Sequence, residues 1–164
     1  MHVNVARYED IPNWLKLAAE VEFLFGPMVD DSGFHCALRK NMDRGTAYCV
    51  REDDGPPGTP LMGGVLFSPK PSKYEIGWLS VAQKWRRHGV GRLLVEHVFG
   101  LVQPPAEMVV ISFGDEIEAG QPARKFYEHL GFRPAELASA GPQGGLRQIY
   151  GRVFLWIKRG ESAA

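Results

Sequence analysis

One short loop in the middle of the chain joins positive charge to two glycines, a combination that suits a phosphate group. Arg86, Arg87 and His88 supply side-chain charge, while Gly89 and Gly91 let backbone N–H groups approach an anion without a Cβ in the way. An amphipathic helix pattern starts from this loop, so the unpaired N–H donors and the dipole of the helix add to the attraction. The predicted phosphate-binding residues are Arg86, Arg87, His88, Gly89, Val90, Gly91 and Arg92.

Two better-known phosphate loops do not match this segment. A P-loop requires Gly-x-x-x-x-Gly-Lys-Ser/Thr, and the chain contains no such run. A dinucleotide-binding loop requires Gly-x-Gly-x-x-Gly, but Leu94 stands at the third glycine position and the arginines come before the glycines. The pattern that remains is Arg86-x-x-Gly89-x-Gly91, with a strand pattern before it and a helix pattern after it.

This pattern resembles the acetyl-CoA loop of the GNAT superfamily of N-acetyltransferases, usually written Gln/Arg-x-x-Gly-x-Gly/Ala. The apolar strand at residues 75–81 makes the resemblance more specific. A second segment, residues 123–132, is similar to a later helix of the family with the pattern Ala-x-x-x-Tyr-x-x-x-Gly-Phe. The resemblance extends from about residue 6 to residue 158. It implies an enzyme that transfers the acetyl group of acetyl-CoA, its co-substrate, to an amine.

The resemblance also implies roles for single residues. In the family an amine attacks the thioester carbonyl directly, and a protonated amine first needs a base to remove its proton. Glu75 matches the position of the family's glutamate base, acting directly or through water, and Tyr127 matches its general acid. Backbone groups of Leu79, Ser80 and Val81 would hold the pantetheine arm and the oxyanion. The structural alternatives are a solvated charge at a strand end for Glu75 and a core tyrosine for Tyr127.

Two features concern the family's variable parts. Gly120 stands where members often carry an asparagine that contacts the cofactor arm, and Gln121 is a candidate cap of the following helix. The acceptor is expected to be a small-molecule or peptide amine. Carboxylates beside aromatic residues near the first helix suggest a cationic amine, unless they only solvate the helix surface. The residues concerned are Glu20, Glu22, Phe23, Phe25, Asp30 and Asp31.

The elements that position these residues alternate along the chain in the order of the GNAT fold. The resemblance implies an α/β fold of the α+β type, with a mixed, mostly antiparallel sheet of about seven strands and about four helices, in a single domain over residues 1–164. Strand patterns occur at 3–5 (with Arg7 and Tyr8 as a further alternating pair), 46–50, 61–67, 74–81, 108–113, 132–137 and 148–157. Helix patterns occur at 12–24, 32–43 with Ser32 as N-cap, 89–102 and 122–130, and a loop at 139–145.

Composition limits the remaining classes of function. Lys plus Arg and Asp plus Glu both number 19, so the basic excess typical of a nucleic-acid binder is missing. Neither a membrane span nor a signal peptide is predicted. Cys36 and Cys49 lack metal-ligand spacing and are expected to pack inside the protein as free thiols in the cytoplasm; no metal is expected. A monomer or homodimer is expected. The alternative function is an acyl-CoA-binding regulatory module without turnover.

Overall fold

The computed structural model describes residues 1–141 and 145–156, and its centre is a seven-stranded sheet. The strands are β1 (Val3–Val5), β2 (Ala47–Arg51), β3 (Leu61–Ser68), β4 (Lys73–Val81), β5 (Ala106–Phe113), β6 (Arg133–Ala138) and β7 (Arg147–Phe154). Their order across the sheet is β1-β2-β3-β4-β5-β7-β6, with every neighbouring pair antiparallel except β4 and β5. The predicted fold class is confirmed.

The α-helices lie on both faces of this sheet. They are α1 (Ile11–Ala19), α2 (Glu22–Phe25), α3 (Ser32–Arg44), α4 (Val90–Phe99) and α5 (Gln121–His129). Helices α4 and α5 pack on one face, whereas α1 and α3 pack on the other. Strand β3 lies between these layers and is buried over nearly its whole length. Gly64 makes close packing possible there, because a Cβ on it would lie 2.7 Å from Cη2 of Trp14.

Strands β4 and β5 separate halfway along their length. They pair in parallel from Lys73 opposite Glu107 to Ile76 opposite Val110, and no further. On its other edge β4 stays paired with β3 up to Val81, with a register shift that leaves Gly77 as an extra residue. Such a bulge bends the strand that carries it. The result is a gap between the carboxyl ends of the two strands.

The first predicted helix is two helices in the structure. Residues 12–24 were predicted as one element, but α1 ends at Ala19 and α2 begins at Glu22. The carboxylate of Glu20 accepts a hydrogen bond from the Gln83 amide at 2.8 Å, and that of Glu22 accepts one from the Met28 amide at 2.8 Å. These bonds connect the break to other parts of the chain. A local hydrophobic pattern does not contain that information.

Smaller differences have similar causes. The first strand ends at Val5, because Tyr8–Asp10 forms a 3-10 turn. Asp31, rather than Ser32, caps α3 by accepting a hydrogen bond from the Phe34 amide at 2.7 Å. Cys49 is buried as expected, but Cys36 is exposed on α3. Residues 142–144 of the predicted loop and residue 157 of the last predicted strand lie outside the described residues.

The helices of residues 1–141 and 145–156 include none that is both long and apolar enough to cross a bilayer.

Candidate active site

The edge of β4 that faces the gap carries backbone groups with no strand partner. The Ala82 amide donates a hydrogen bond to the carbonyl of Met62 in β3. Every second residue of an antiparallel strand bonds the same neighbour, so Ser80 and Trp78 also direct their backbone groups to β3. Leu79 and Val81 therefore direct theirs to the opposite side, where β5 has diverged. Of the three residues predicted for this role, Ser80 differs, since its backbone groups point to β3 and its side chain is buried.

The predicted phosphate loop follows directly and ends at the N-terminus of α4. Gly89 is the N-cap in a left-handed conformation, with φ of 80°. No side chain caps this end, and the first hydrogen bond of the helix runs from the Leu93 amide to the Gly89 carbonyl. The helix therefore begins with N–H donors that no capping side chain occupies. This is the geometry that anions favour.

The side chains of the loop divide into anchors and exposed charges. Val90 is buried in the core and fixes the start of the helix. Arg86, Arg87 and His88 are exposed, and Nε of Arg86 donates to the Val81 carbonyl at 3.3 Å. Arg92 is also exposed and pairs with Glu96 one turn later at 2.7 Å. The loop thus presents positive charge around the amides of α4.

The gap between β4 and β5 opens into a cleft of about 550 Å³. Both predicted catalytic residues line it, together with residues of α2, the two strands, α5 and the start of β7. These lining residues include Phe23, Phe25, Glu75, Gly77, Trp78, Leu79, Val110, Ser112, Phe113, Ile117, Tyr127 and Arg147. The structure therefore brings Glu75, Leu79 and Tyr127 to one cavity, and the strand that carries Leu79 continues through the loop to the uncapped end of α4.

Glu75 and Tyr127 reach the cleft from opposite faces of the sheet. Tyr74 and Ile76 point into the core beneath α4, so Glu75 between them points to the other face and is exposed. It is thus not enclosed by apolar groups. Tyr127 comes from α5, is 7% exposed, and packs edge-on against Phe126 and Phe132. Burial raises the pKa of Tyr127, so its hydroxyl keeps its proton at physiological pH.

The cleft also contains Trp78, Phe113 and Arg147, to which the sequence analysis gave no role. Phe25 of α2 lies against Phe113 of β5, with ring centroids 5.1 Å apart, and forms an aromatic wall. Trp78 and Arg147 line the same space. Phe113 and Arg147 lie outside the two recognisable motifs, whereas Trp78 lies in the strand before the first of them. Only the alternation of side chains along β5 and β7 could have suggested a shared face for Phe113 and Arg147.

The acids predicted to bind a cationic acceptor do not line the cleft. Phe23 and Phe25 do line the cleft, but the carboxylates of Glu20, Glu22 and Asp31 accept hydrogen bonds from backbone amides elsewhere. Asp30 is exposed and is not among the residues that line the cleft. The interpretation of Glu20 and Glu22 as part of a cationic-amine site therefore loses its geometric basis.

Gly120 is explained by packing. A Cβ at this position would lie 2.4 Å from Cβ of Phe113, so the asparagine found in many family members would not fit. Gly120 is the N-cap of α5 with no side-chain hydrogen bond, and Gln121 is the first residue of the helix rather than its cap. Phe113 occupies the space that a side chain at position 120 would need, and its ring forms part of the aromatic wall.

No group of three or more His, Cys, Asp or Glu side chains that could hold a metal ion occurs within the described parts of the chain.

The sheet order, the gap between two parallel strands and the helix that begins at a basic glycine loop together define an acetyltransferase-type fold. A family model described as the acetyltransferase (GNAT) domain matches residues 43–134. The chain belongs to this family, and the prediction of an acyltransferase is confirmed at that level. No curated protein sequence matches the chain significantly.

Solved structures show the same fold at low sequence identity. A protein assigned to the GNAT family from Desulfovibrio desulfuricans is 22% identical, with a TM-score of 0.71 over 93% of this chain and 96% of its own. Arabidopsis thaliana Naa50, in complex with the bisubstrate analogue CoA-Ac-MVNAL, is 16% identical, with a TM-score of 0.68 over 93% and 97%. A ribosomal-protein-alanine N-acetyltransferase from Brucella melitensis is 13% identical, with a TM-score of 0.72 over 94% and 100%.

Proposed function

We propose that this protein transfers the acetyl group of acetyl-CoA to an amine by direct attack. The observation that carries the proposal is the unpaired edge of β4 at Leu79 and Val81, which leads within a few residues into the uncapped N-terminus of α4. An extended amide-containing chain can pair with such an edge, and a phosphate group suits such a helix end. The pantetheine and pyrophosphate parts of CoA follow one another in the same order.

The binding residues have separate tasks in this proposal. The backbone of Leu79 and Val81 holds the pantetheine amides, and one N–H of the pair stabilises the oxyanion. The amides at the start of α4, framed by Gly89 and Gly91, hold the pyrophosphate. Arg86, Arg87, His88 and Arg92 add positive charge around it. The CoA-containing analogue bound to Naa50 supports acetyl-CoA as the co-substrate here.

The chemical step uses the two residues that enter the cleft from opposite faces. Glu75 takes the proton of the ammonium group, directly or through water, and frees the nitrogen lone pair. The nitrogen attacks the thioester carbon, a C–N bond forms, and the carbonyl electron pair moves to the oxygen. When the oxyanion collapses, the C–S bond breaks and the thiolate takes a proton from Tyr127. The attacking nitrogen gives up its second proton to water, which leaves a neutral amide, and the tyrosinate regains a proton from solvent. Because the pKa of Tyr127 is raised, this donor is present over the working pH range.

A charge placed at the helix end tests the phosphate site. The variant Gly91→Glu puts a carboxylate where the pyrophosphate is proposed to bind, and Gly91→Gln adds nearly the same volume without charge. A Cβ at Gly91 would lie 3.3 Å from the ring of Phe126, so both variants need only a small shift of that ring. A negative charge in the first turn also suits the helix dipole, so Gly91→Glu should remain folded.

Calorimetry then measures the affinity of wild type and of both variants for acetyl-CoA. We expect Gly91→Glu to lose detectable binding and Gly91→Gln to lose less. Equal, undiminished affinity in both folded variants would contradict the proposed loop. Release of CoA thiol with a panel of amines separates the enzyme from a binding module without turnover.

Both cysteines are free thiols, one exposed and one buried, which agrees with the reducing cytoplasm that we propose as the location of this protein.

A further inference from the structure

Arg147 brings a positive charge to the cleft, and among residues 1–141 and 145–156 it forms no salt bridge. It lines the cavity at the start of β7 and is half-buried. Its Nε donates to the carbonyl of Ser139 at 2.7 Å and its Nη2 to Oγ of Ser139 at 3.0 Å, both neutral acceptors. Within residues 1–141 and 145–156, no acid lies within 4.0 Å of its guanidinium.

Two acids of the loop before α5 have partners other than the guanidinium of Arg147. A carboxylate oxygen of Asp115 lies 3.7 Å from Nε of Arg124. The carboxylate of Glu116 accepts a hydrogen bond from the Leu146 amide at 3.1 Å. The charge of Arg147 is thus available to a group that enters the cleft.

The sheet places Arg147 and Glu75 on one face. Glu75 is in register with Val109, and Arg147 is in register with Phe113 of the same strand. Val109 and Phe113 are four residues apart, so their side chains share a face and the two charges are separated along β5 by about 13 Å. Between them lies the apolar surface of Ile111 and Phe113, opposite Phe25.

We propose that Arg147 recognises a carboxylate of the acceptor, so that the substrate class is a small aminocarboxylate whose apolar body separates the amine from the carboxylate. This inference rests on the proposed function. The amine would react at the end of the cleft near Glu75 and Tyr127, the body would contact the aromatic wall, and the carboxylate would bind the guanidinium. A half-buried arginine suits this task because its planar donors match a carboxylate. It replaces the cationic acceptor suggested by Glu20 and Glu22.

Matched acceptors isolate the contribution of the carboxylate. 4-(2-Aminoethyl)benzoate, 4-(2-aminoethyl)benzamide and 2-phenylethylamine share a ring and an amine but differ in the group at the far end of the molecule that Arg147 would bind, and 8-aminooctanoate with 8-aminooctanamide gives an aliphatic pair. For each, kcat/KM is measured with wild type and with Arg147→Gln. The wild-type-to-variant ratio for each acceptor cancels the different reactivities of the amines. We expect Arg147→Gln to reduce kcat/KM about 10- to 100-fold for the carboxylates and less than about threefold for the others.

Arg133→Gln serves as the control, because this arginine is exposed on β6, contacts only backbone carbonyls and does not line the cleft. For Arg133→Gln, the wild-type-to-variant ratio of kcat/KM should stay near one for every acceptor. Binding of N-acetyl-4-(2-aminoethyl)benzoate and its amide to the CoA-loaded protein gives a readout that does not depend on turnover, and only the acid should lose affinity in Arg147→Gln. Equal losses for acids and amides, or no reaction of any carboxylate acceptor, would overturn the inference. Failure of acetyl-CoA to bind would instead overturn the proposed function and the inference with it.

Discussion

At the scale of residues, the main feature is that Glu75 and Tyr127 enter one cleft from opposite faces of the sheet. Strand β4 and helix α5 would be separated by β5 in a fully paired sheet, and only the gap beyond Ile76 gives both side chains access to the same cavity. In the proposed reaction the proton is therefore taken up on one face and supplied from the other. The two roles can be tested separately.

Glu75→Gln should reduce kcat by about 10²- to 10⁴-fold at neutral pH, as general-base contributions typically do. Activity should recover as pH rises, since more of the acceptor amine is then already deprotonated. The measurement is a kcat profile over pH with saturating acetyl-CoA. Glu107→Gln is a matched control on β5, because Glu107 does not line the cleft. A profile identical to that of wild type would assign Glu75 to the solvated surface.

Tyr127→Phe should reduce kcat while changing the free energy of unfolding by less than about 1 kcal/mol, because the ring contacts with Phe126 and Phe132 remain. The raised pKa keeps the hydroxyl protonated, so the ratio of wild-type to variant rates should stay constant between pH 6 and about 9. Thermal unfolding and steady-state kinetics measure the two effects. An unaltered kcat, with chemistry shown to limit the rate, would leave Tyr127 as a core residue only.

At the scale of elements, one buried ion pair joins the first turn of the chain to the sheet. Asp10, fully buried, accepts hydrogen bonds from Nε and Nη2 of Arg51 on β2 at 3.0 and 2.7 Å, and from the amides of Arg7 and Gly58. Burial alone would raise the pKa of Asp10, but these bonds together lower it below its ordinary value. This carboxylate holds β2, the turn before α1 and the loop before β3 together.

Asp10→Asn should destabilise the protein by about 3–5 kcal/mol at neutral pH, because Arg51 would remain buried without its partner. Since the folded pKa is depressed, the stabilisation is present above the ordinary pKa of about 3.9 and is lost as pH falls through the folded value. The difference in the free energy of unfolding between wild type and Asp10→Asn should therefore decrease below about pH 4. Denaturant unfolding at several pH values measures this difference. Asp30→Asn, at an exposed position, should change stability by less than about 0.5 kcal/mol.

At the scale of the whole molecule, the two halves of the sheet are joined by few bonds. Strands β4 and β5 pair only from Lys73 to Ile76, and beyond that point the cleft separates them. A ligand that pairs with Leu79 and Val81 would occupy the open part of this junction. Acetyl-CoA binding should therefore change the protection of backbone amides from hydrogen exchange more at the gap between β4 and β5 than elsewhere.

Acetyl-CoA at a hundred times its Kd should stabilise the protein by about 2.7 kcal/mol and raise Tm accordingly. Hydrogen exchange should slow at the amides of Leu79 and Val81, while amides of α3, on the far side of the sheet, should change only with global stability. Exchange measured with and without ligand tests this. Slowing confined to regions away from β4 would contradict pairing at this edge.

The sequence by itself determined the features whose physics is local. The glycines and arginines of the loop, the amphipathic pattern of α4 and the spacing around Tyr127 lie within short segments, so their character can be read without the fold. The family and the sheet followed from the resemblance that these segments carry, whereas the catalytic roles of Glu75 and Tyr127 stay predictions. Element ends were less certain, because capping by Asp31 and the break at Glu20 depend on individual hydrogen bonds.

Only the tertiary structure decided what depends on contacts between distant segments. The separation of β4 from β5 left Leu79 and Val81 unpaired but directed Ser80 to β3. Packing of Phe113 against Gly120 and Phe25 shaped the cleft, and strand register placed Arg147 on the face of Glu75. Near the first helix, the carboxylates of Glu20, Glu22 and Asp31 accept hydrogen bonds from backbone amides outside the cleft. Register and ring packing are set by the assembled sheet, and the alternation of residues in one strand does not specify its neighbours.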